Sequence, residues 1–304
     1  MRIALAVTPP LARDAATVIG AARERGVEVE LWPMMTDVEG RWLSESNAAG
    51  FAAYVRRLVE RLQAEGCAPR TVVLDLEPPI DVLRAIVRRG LRAWPRALRP
   101  APARTRAAAR DGIAALLSEL RARNIESVAA VAPLVVADGA GAGWQRMLGT
   151  PIEGLAFDRV SAMMYTSVVT GYARGAVRRA DARALLAEVC TGAVAKWGRA
   201  RASVSVGAIG AGALGDESSY RDAGELAEDV AIARASGIED VYAFELGGAL
   251  RRPPLERWLD AMDAQAAQPP PRLTLRSAAL SWSTRGIARA LDAEAAIRAM
   301  LRPR

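Results

Sequence analysis

The chain has 304 residues, of which 51% are hydrophobic and 25% charged. That balance is ordinary for a globular protein and is large enough for two domains or one large barrel. The formal net charge is +7, and no apolar run approaches the roughly 18 residues of a membrane-spanning helix, so the sequence reads as cytoplasmic as written.

In chain order, β-rich runs alternate with helical stretches. Arg2–Val7 reads as a strand, Leu11–Arg25 as a helix, and Val27–Met34 as a second strand after the stop at Gly26. Ser46 or Asn47 caps a helix reaching about Glu65, with Phe51, Tyr54, Val55, Leu58 and Leu62 at helical spacing. Thr71–Glu77 is the third strand, closed by Pro78-Pro79. A helical region follows from Ile80 to about Arg123, broken around Pro95, Pro100 and Pro102. Ser127–Leu134, Asp158–Thr166, Ala202–Ile209 and Asp240–Leu246 read as further strands. Helices are expected over 181–197, Ala223–Ser236 and Leu255–Ala264. The run from Gln268 to Pro271 is a stiff linker, Leu273–Leu275 alternates as a strand should, and Ile287–Leu301 reads as a helix.

Strands separated by helices predict parallel βαβ units. No Gly-x-Gly-x-x-Gly follows the first strand, so a dinucleotide fold lacks its signature. The expected class is α/β, a (β/α)8 TIM-type barrel. The chain is read as one barrel domain over 1–304: seven βα units in 1–265, a Pro-rich linker in 266–271 and a strand-helix tail in 272–304. The tail strand is predicted to supply the eighth unit by pairing beside the first strand.

The absence of histidine removes Ser-His-Asp and Cys-His catalysis, the common zinc sites and His-based proton transfer. The single lysine, Lys196, lies late in a helix before a strand, the wrong end of a barrel for a Schiff base. Two cysteines, Cys67 and Cys190, are too few for a disulfide framework and read as small buried hydrophobes. Chemistry then rests on Asp, Glu, Tyr, Ser or Arg.

In Val73-Leu74-Asp75-Leu76-Glu77, alternation puts Val73, Asp75 and Glu77 on one face. At the end of a barrel strand these carboxylates point to the mouth where barrel active sites lie. Two such neighbours cannot both ionise freely, so one is held protonated, as a general acid requires. Met163 and Tyr165 share a face at the end of another strand, and Tyr165 can donate to a carbonyl or a developing anion. Phe244 and Glu245 end the last of the seven strands before Gly247-Gly248. Trp32 and Trp42 bracket the loop after the second strand, and Trp144 follows a Gly-rich stretch, 138–143, read as a flexible loop. Flat apolar rings at a mouth can stack on sugars, and Asp37 in the first of these loops can bond a sugar hydroxyl.

These residues resemble the chitinase-type (family 18) glycoside hydrolases. The resemblance rests on strand-ending Asp75-x-Glu77, Met163-x-Tyr165 and an aromatic, Phe244, closing the last family strand. Of the family's Asp-x-x-Asp-x-Asp-x-Glu only the last two acids match, with Arg70 and Val73 at the earlier positions, and Thr166 stands where the family has an acid after its tyrosine. The resemblance implies a retaining, substrate-assisted hydrolysis. Glu77 is the general acid and then the base. Asp75 orients a 2-acetamido group whose carbonyl oxygen attacks the anomeric carbon, and Tyr165 holds that group. Phe244, Glu245, Trp32, Asp37, Trp144 and Thr166 are the expected substrate contacts.

The residues themselves leave other uses open. Glu77 and Glu245 could act as acid/base and nucleophile if about 5 Å apart. Asp75, Glu77 and Glu245 could hold Mg²⁺, although no dedicated metal motif is present. A catalytically silent barrel binding glycan or protein is the reading from another class. The preferred reading needs no cofactor or metal and takes a carbohydrate or glycoconjugate as partner.

Nine arginines fall between Arg84 and Arg110 with no acid among them. Without an aromatic ladder or recognition motif they do not point to nucleic acid. Residues 82–110 read as a helix packed on the barrel with a solvated arginine face, in preference to a membrane-surface contact.

Overall fold

The computed structural model describes residues 1–89, 100–266 and 269–300. Seven strands take the sheet order β1-β2-β3-β4-β5-β6-β7, with helices between them. This is the α/β, TIM-barrel-like class that the alternating pattern predicts, with seven strands among the described residues where eight units were expected. Two compact units divide the chain, Met1–Val131 with Gln145–Arg159 and Ala132–Trp144 with Val160–Arg304. No helix among the described residues is long and apolar enough to cross a membrane.

The first unit contains β1 (Arg2–Val7), α1 (Ala15–Glu24), β2 (Glu28–Pro33), α2 (Ala48–Ala64), β3 (Thr71–Leu76), α3 (Ile80–Arg89), α4 (Ala103–Ala122) and β4 (Glu126–Val131). β1 pairs in parallel with β2, β2 with β3 and β3 with β4. All six residues of β3 are buried, as expected of a parallel strand covered on both faces. α2 buries Phe51, Val55, Leu58 and Leu62 while Arg57, Glu60 and Arg61 face solvent. Each such large apolar side chain contributes about 1.5–3 kcal/mol on burial. The acid Glu30 of β2 is buried too, and is matched by Arg2 and Arg159, each at 3.2 Å. Within the expected helical region 80–123 the described residues include α3 and α4, with Pro102 at the N-cap position of α4. Trp94 and the arginines from Arg92 to Arg99 lie outside the described residues. Leu83, Ile86 and Val87 of α3 are half-buried.

Just before α2, Glu45 is 6% exposed and its Oε2 has no hydrogen-bond partner. Burial pushes its carboxyl up to about 7, against the pull of Arg106 and Arg110 of α4. The folded state therefore holds this proton longer than the unfolded chain does. The resulting stability is full below the ordinary value of 4.5 and is lost as pH rises through about 7. Thermal unfolding at about pH 5 and about pH 8 should show a larger drop in Tm for the parent than for Glu45→Gln, which has no carboxyl to titrate there. Equal drops would remove Glu45 as the titrating group.

The division between the units falls within α5 (Gly143–Leu148), whose first two residues belong to the second unit. There follow β5 (Arg159–Met163), α6 (Thr166–Tyr172), α7 (Arg179–Trp197), β6 (Ala202–Gly207), α8 (Ala223–Ala235) and β7 (Asp240–Phe244). α9 (Leu246–Leu250), α10 (Leu255–Met262) and α11 (Leu275–Met300) complete it. β5 pairs in parallel with β6, and β6 with β7. Its core joins Leu186 and Cys190 of α7, Val204 and Val206 of β6, Leu226 and Val230 of α8, and Trp258 of α10. Lys196 ends α7 with its Nζ donating to the Asp138 carbonyl at 2.7 Å. Both cysteines are free thiols, Cys190 buried and Cys67 half-buried.

Two expectations are corrected here. The strand expected over Asp158–Thr166 stops at Met163, because Thr166 turns into the interior and opens α6. The tail contributes no strand at Leu273–Leu275, so none pairs beside β1 from there; Leu275 already belongs to α11. The cause is a helix cap: the Thr274 hydroxyl accepts from the Ser277 amide at 3.1 Å and donates to Asp181 at 2.6 Å. α11 is held to α7 through Glu188, which accepts from Ser281 and, at 2.5 Å, from Arg285.

The Gly-rich stretch lies under α11. A Cβ on Gly143 would meet the Ala288 carbonyl oxygen and the Leu291 Cβ, each at 2.8 Å. Close packing thus explains the glycine there, where the sequence reading saw a flexible loop. Gly143→Ala should destabilise the protein by about 1–3 kcal/mol through overpacking, read as a lower midpoint in urea unfolding. An unchanged midpoint would mean α11 does not rest there.

Candidate functional site

β3 ends at Leu76, and Val73, Asp75 and Glu77 follow one another along one face of the chain there. Val73 is buried, Asp75 is 2% exposed and Glu77 is half-buried. Glu77-Pro78-Pro79 fixes the backbone beyond the strand before α3 begins. Asp75 Oδ1 is buried with no hydrogen-bond partner. Burial first, and the neighbouring Glu77 charge second, hold the Asp75 carboxyl well above the usual carboxylate range; the nearby Trp32 side chain offsets part of this. Asp75 thus retains a proton that an isolated carboxylate would lose. Trp32 of β2, expected as a sugar platform, sits half-buried beside Asp75.

The loop after β2 is tied to this strand end. Leu43 N donates to the Asp75 carbonyl at 2.9 Å, and Leu43 bridges Leu76. A Cβ on Gly40 would lie 3.8 Å from Pro79 Cβ, so the loop rests on the turn that follows Glu77. Asp37 lies in this loop, but both of its oxygens are engaged. Oδ1 accepts from Arg41 Nε at 2.7 Å, and Oδ2 accepts from Arg84 Nη2 of α3 at 2.9 Å. Burial alone would raise the Asp37 carboxyl; the two arginines outweigh it and hold the group below its ordinary value. Trp42, the other bracket of the loop, is buried.

In the second unit, Tyr165 and Phe244 stack with centroids 5.5 Å apart at 26°. Both are half-buried at the ends of β5 and β7. Glu245 is paired with Arg251 at 3.0 Å. Thr166, expected among the substrate contacts, is fully buried. Its hydroxyl donates to Asp229 Oδ2 and accepts from Arg179 at 2.6 Å. Trp144 is 1% exposed, and its indole N–H donates to the Thr284 carbonyl at 3.1 Å, so it packs beneath α11 rather than presenting a ring to a ligand. Among the described residues no group of three or more Asp, Glu or Cys is placed to hold a metal ion.

Sequence reasoning missed Asp229 and the two arginines on Asp37. Asp229 is signalled in the sequence by its place on the apolar face Leu226, Asp229, Val230, Ala233, where an unpaired acid would be costly. The arginine pair has no such signal, because Arg41 and Arg84 meet only when the loop closes over β3.

No family model matches the chain, and no curated protein matches it in sequence. Solved structures do match. A chitinase from Rhizomucor miehei is 14% identical, with 82% of this chain and 85% of that one covered and a TM-score of 0.50. An endo-beta-mannanase/endo-beta-glucanase from Prevotella bryantii is 12% identical over 87% of this chain, with a TM-score of 0.51; this chain spans 42% of that protein's length. The glycoside hydrolase domain of PgaB (BpsB) from Bordetella bronchiseptica is 13% identical over 79% of this chain and 77% of that one, with a TM-score of 0.47. At these identities the likeness is one of fold, and that fold is one found among glycoside hydrolases.

Proposed function

We propose that the chain hydrolyses a glycosidic bond, with Glu77 as general acid and base, and that it acts beside an N-acetylated sugar in the manner of the chitinase-type enzymes. The observation that carries this reading is the Asp75–Glu77 pair. Asp75 is a fully buried carboxyl with a free oxygen, kept protonated in part by its neighbour, behind a more open Glu77. A structural ion pair would instead have bound a guanidinium at that oxygen.

Glu77 gives its proton to the glycosidic oxygen as the bond to the anomeric carbon breaks. The acetamido carbonyl oxygen of the substrate forms the new bond to that carbon, and Asp75 holds the acetamido N–H as charge develops. Glu77, now ionised, takes a proton from the water that opens the cyclic intermediate, which returns the catalyst to its starting state. The test of the whole reading is turnover of chromogenic N-acetylglucosaminides by the parent and by Glu77→Gln. Equal turnover by the two removes Glu77 as the acid, and a chain that binds these sugars without cleaving them is a silent glycan-binding barrel.

A further inference from the structure

We propose that Arg41 and Arg84, bracketed by Asp37 beside the Glu77 turn, form a subsite for the acidic group of an anionic saccharide. This rests on the reading of Glu77 as the acid of a glycan site and narrows its substrate class to charged glycans.

Four observations support it. Two guanidinium groups share one carboxylate, which leaves the cluster with a net positive charge. Arg41 and Arg84 are 26% and 39% exposed, so the excess charge is open to solvent. Asp37 takes up Nε and Nη2 of Arg41 and Nη2 of Arg84. Among the described residues no protein acceptor is seen for the other N–H groups, and a guanidinium fork with spare donors is suited to a planar oxyanion. Finally, Arg41 has φ 64°, a left-handed conformation that a side chain bearing a β-carbon disfavours and that Gly or Asn adopts more readily. An arginine held there, between Gly40 and the buried Trp42, points to a requirement for its side chain.

The placement follows from the backbone. Arg84 lies on the helix that begins directly after Glu77-Pro78-Pro79, and the loop bearing Arg41 is pinned to the same strand end through Leu43 and Gly40. The subsite is therefore assigned to the part of the glycan that lies toward the Glu77-Pro78-Pro79 turn. A carboxylate and a sulfate ester offer the same chemistry here.

Titration calorimetry with the full chain separates the cases, using Glu77→Gln to prevent turnover. The probes are a hyaluronan tetrasaccharide (carboxylate), a chondroitin sulfate tetrasaccharide (carboxylate and sulfate ester) and neutral chitotetraose. At low salt the acidic probes should bind about tenfold tighter than chitotetraose, and added salt should shrink the difference. Preference for the sulfated over the hyaluronan probe would assign the subsite to the ester. Arg84→Gln and Arg41→Asn should each remove most of the advantage while leaving chitotetraose affinity unchanged, and Arg84→Lys should keep part of it. Asn suits the left-handed backbone at position 41, which guards against misfolding. The proposal is overturned if the neutral probe binds as well as the acidic ones, if no acidic probe binds, or if the arginine variants weaken both kinds equally. Acidic glycan bound through these arginines by a chain whose Glu77 proves dispensable would leave the subsite standing and remove the hydrolase reading.

Discussion

Glu77→Gln should lower kcat on an N-acetylglucosaminide by about 10²–10⁴-fold with little change in substrate affinity. The amide has the shape of the carboxyl but no proton to give, so the loss falls on the transition state. Glu77 is half-buried, and the exchange removes the charge that acts on Asp75, so the fold should tolerate it. The deficit should be smaller with a 2,4-dinitrophenyl leaving group, which departs without protonation. That difference separates a lost acid from a damaged site. A uniform loss across leaving groups, or no loss, would place the proton donor elsewhere. The upward displacement of the Asp75 carboxyl adds a pH signature. Asp75 keeps its proton above the ordinary carboxylate range, so the high-pH limb of the parent kcat/KM profile should move in Asp75→Asn.

The second large effect is on stability. Asp229 of α8 is fully buried, and Thr166, Tyr220 and Arg179 direct donors at it, with Arg183 at 3.5 Å. Burial pushes its carboxyl up, and Arg179, Thr166, Tyr220 and Arg183 offset part of that. Asp229→Ala leaves the half-buried Arg179 and the hydroxyls of Thr166 and Tyr220 without their shared acceptor, while Arg183 keeps its pair with Glu228. Breaking a buried pair from one side costs about 3–5 kcal/mol. Because Thr166 directly follows Tyr165, the loss should also loosen the end of β5. Urea unfolding measures it: a change under about 1 kcal/mol would mean that water or a neighbour takes over the carboxylate's bonds. Asp229→Asn, which keeps an acceptor oxygen, should cost less.

The fold class was legible because the relevant patterns are local. Apolar runs such as Val72–Leu74 mark buried parallel strands, and the spacing from Phe51 to Leu62 marks α2, whatever surrounds them. The tail misled for a local reason as well. Leu273-Thr274-Leu275 alternates like a strand, but Thr274 followed by Ser277 is a helix cap, and a cap with several turns behind it prevails over a three-residue alternation. Likewise Asp75-x-Glu77 was readable as a shared face because strand periodicity is rigid. Thr166 and Trp144 were expected at the surface because residue type says which side chains can meet a sugar but not which are covered.

The chain's own order of residues was enough to determine the alternation of strands and helices, the absence of histidine chemistry and the two acids closing β3. Each of these depends on neighbours within a turn or a strand. Only the tertiary structure decided that Asp75 is sealed from water while Glu77 is not, that Asp37 is bound by two arginines, and that Thr166 belongs to Asp229. Burial and charge pairing join residues far apart in the chain, as with the 2.9 Å contact between Asp37 and Arg84. Their energies depend on which groups water can still reach, a property of the packed molecule and not of any segment of it.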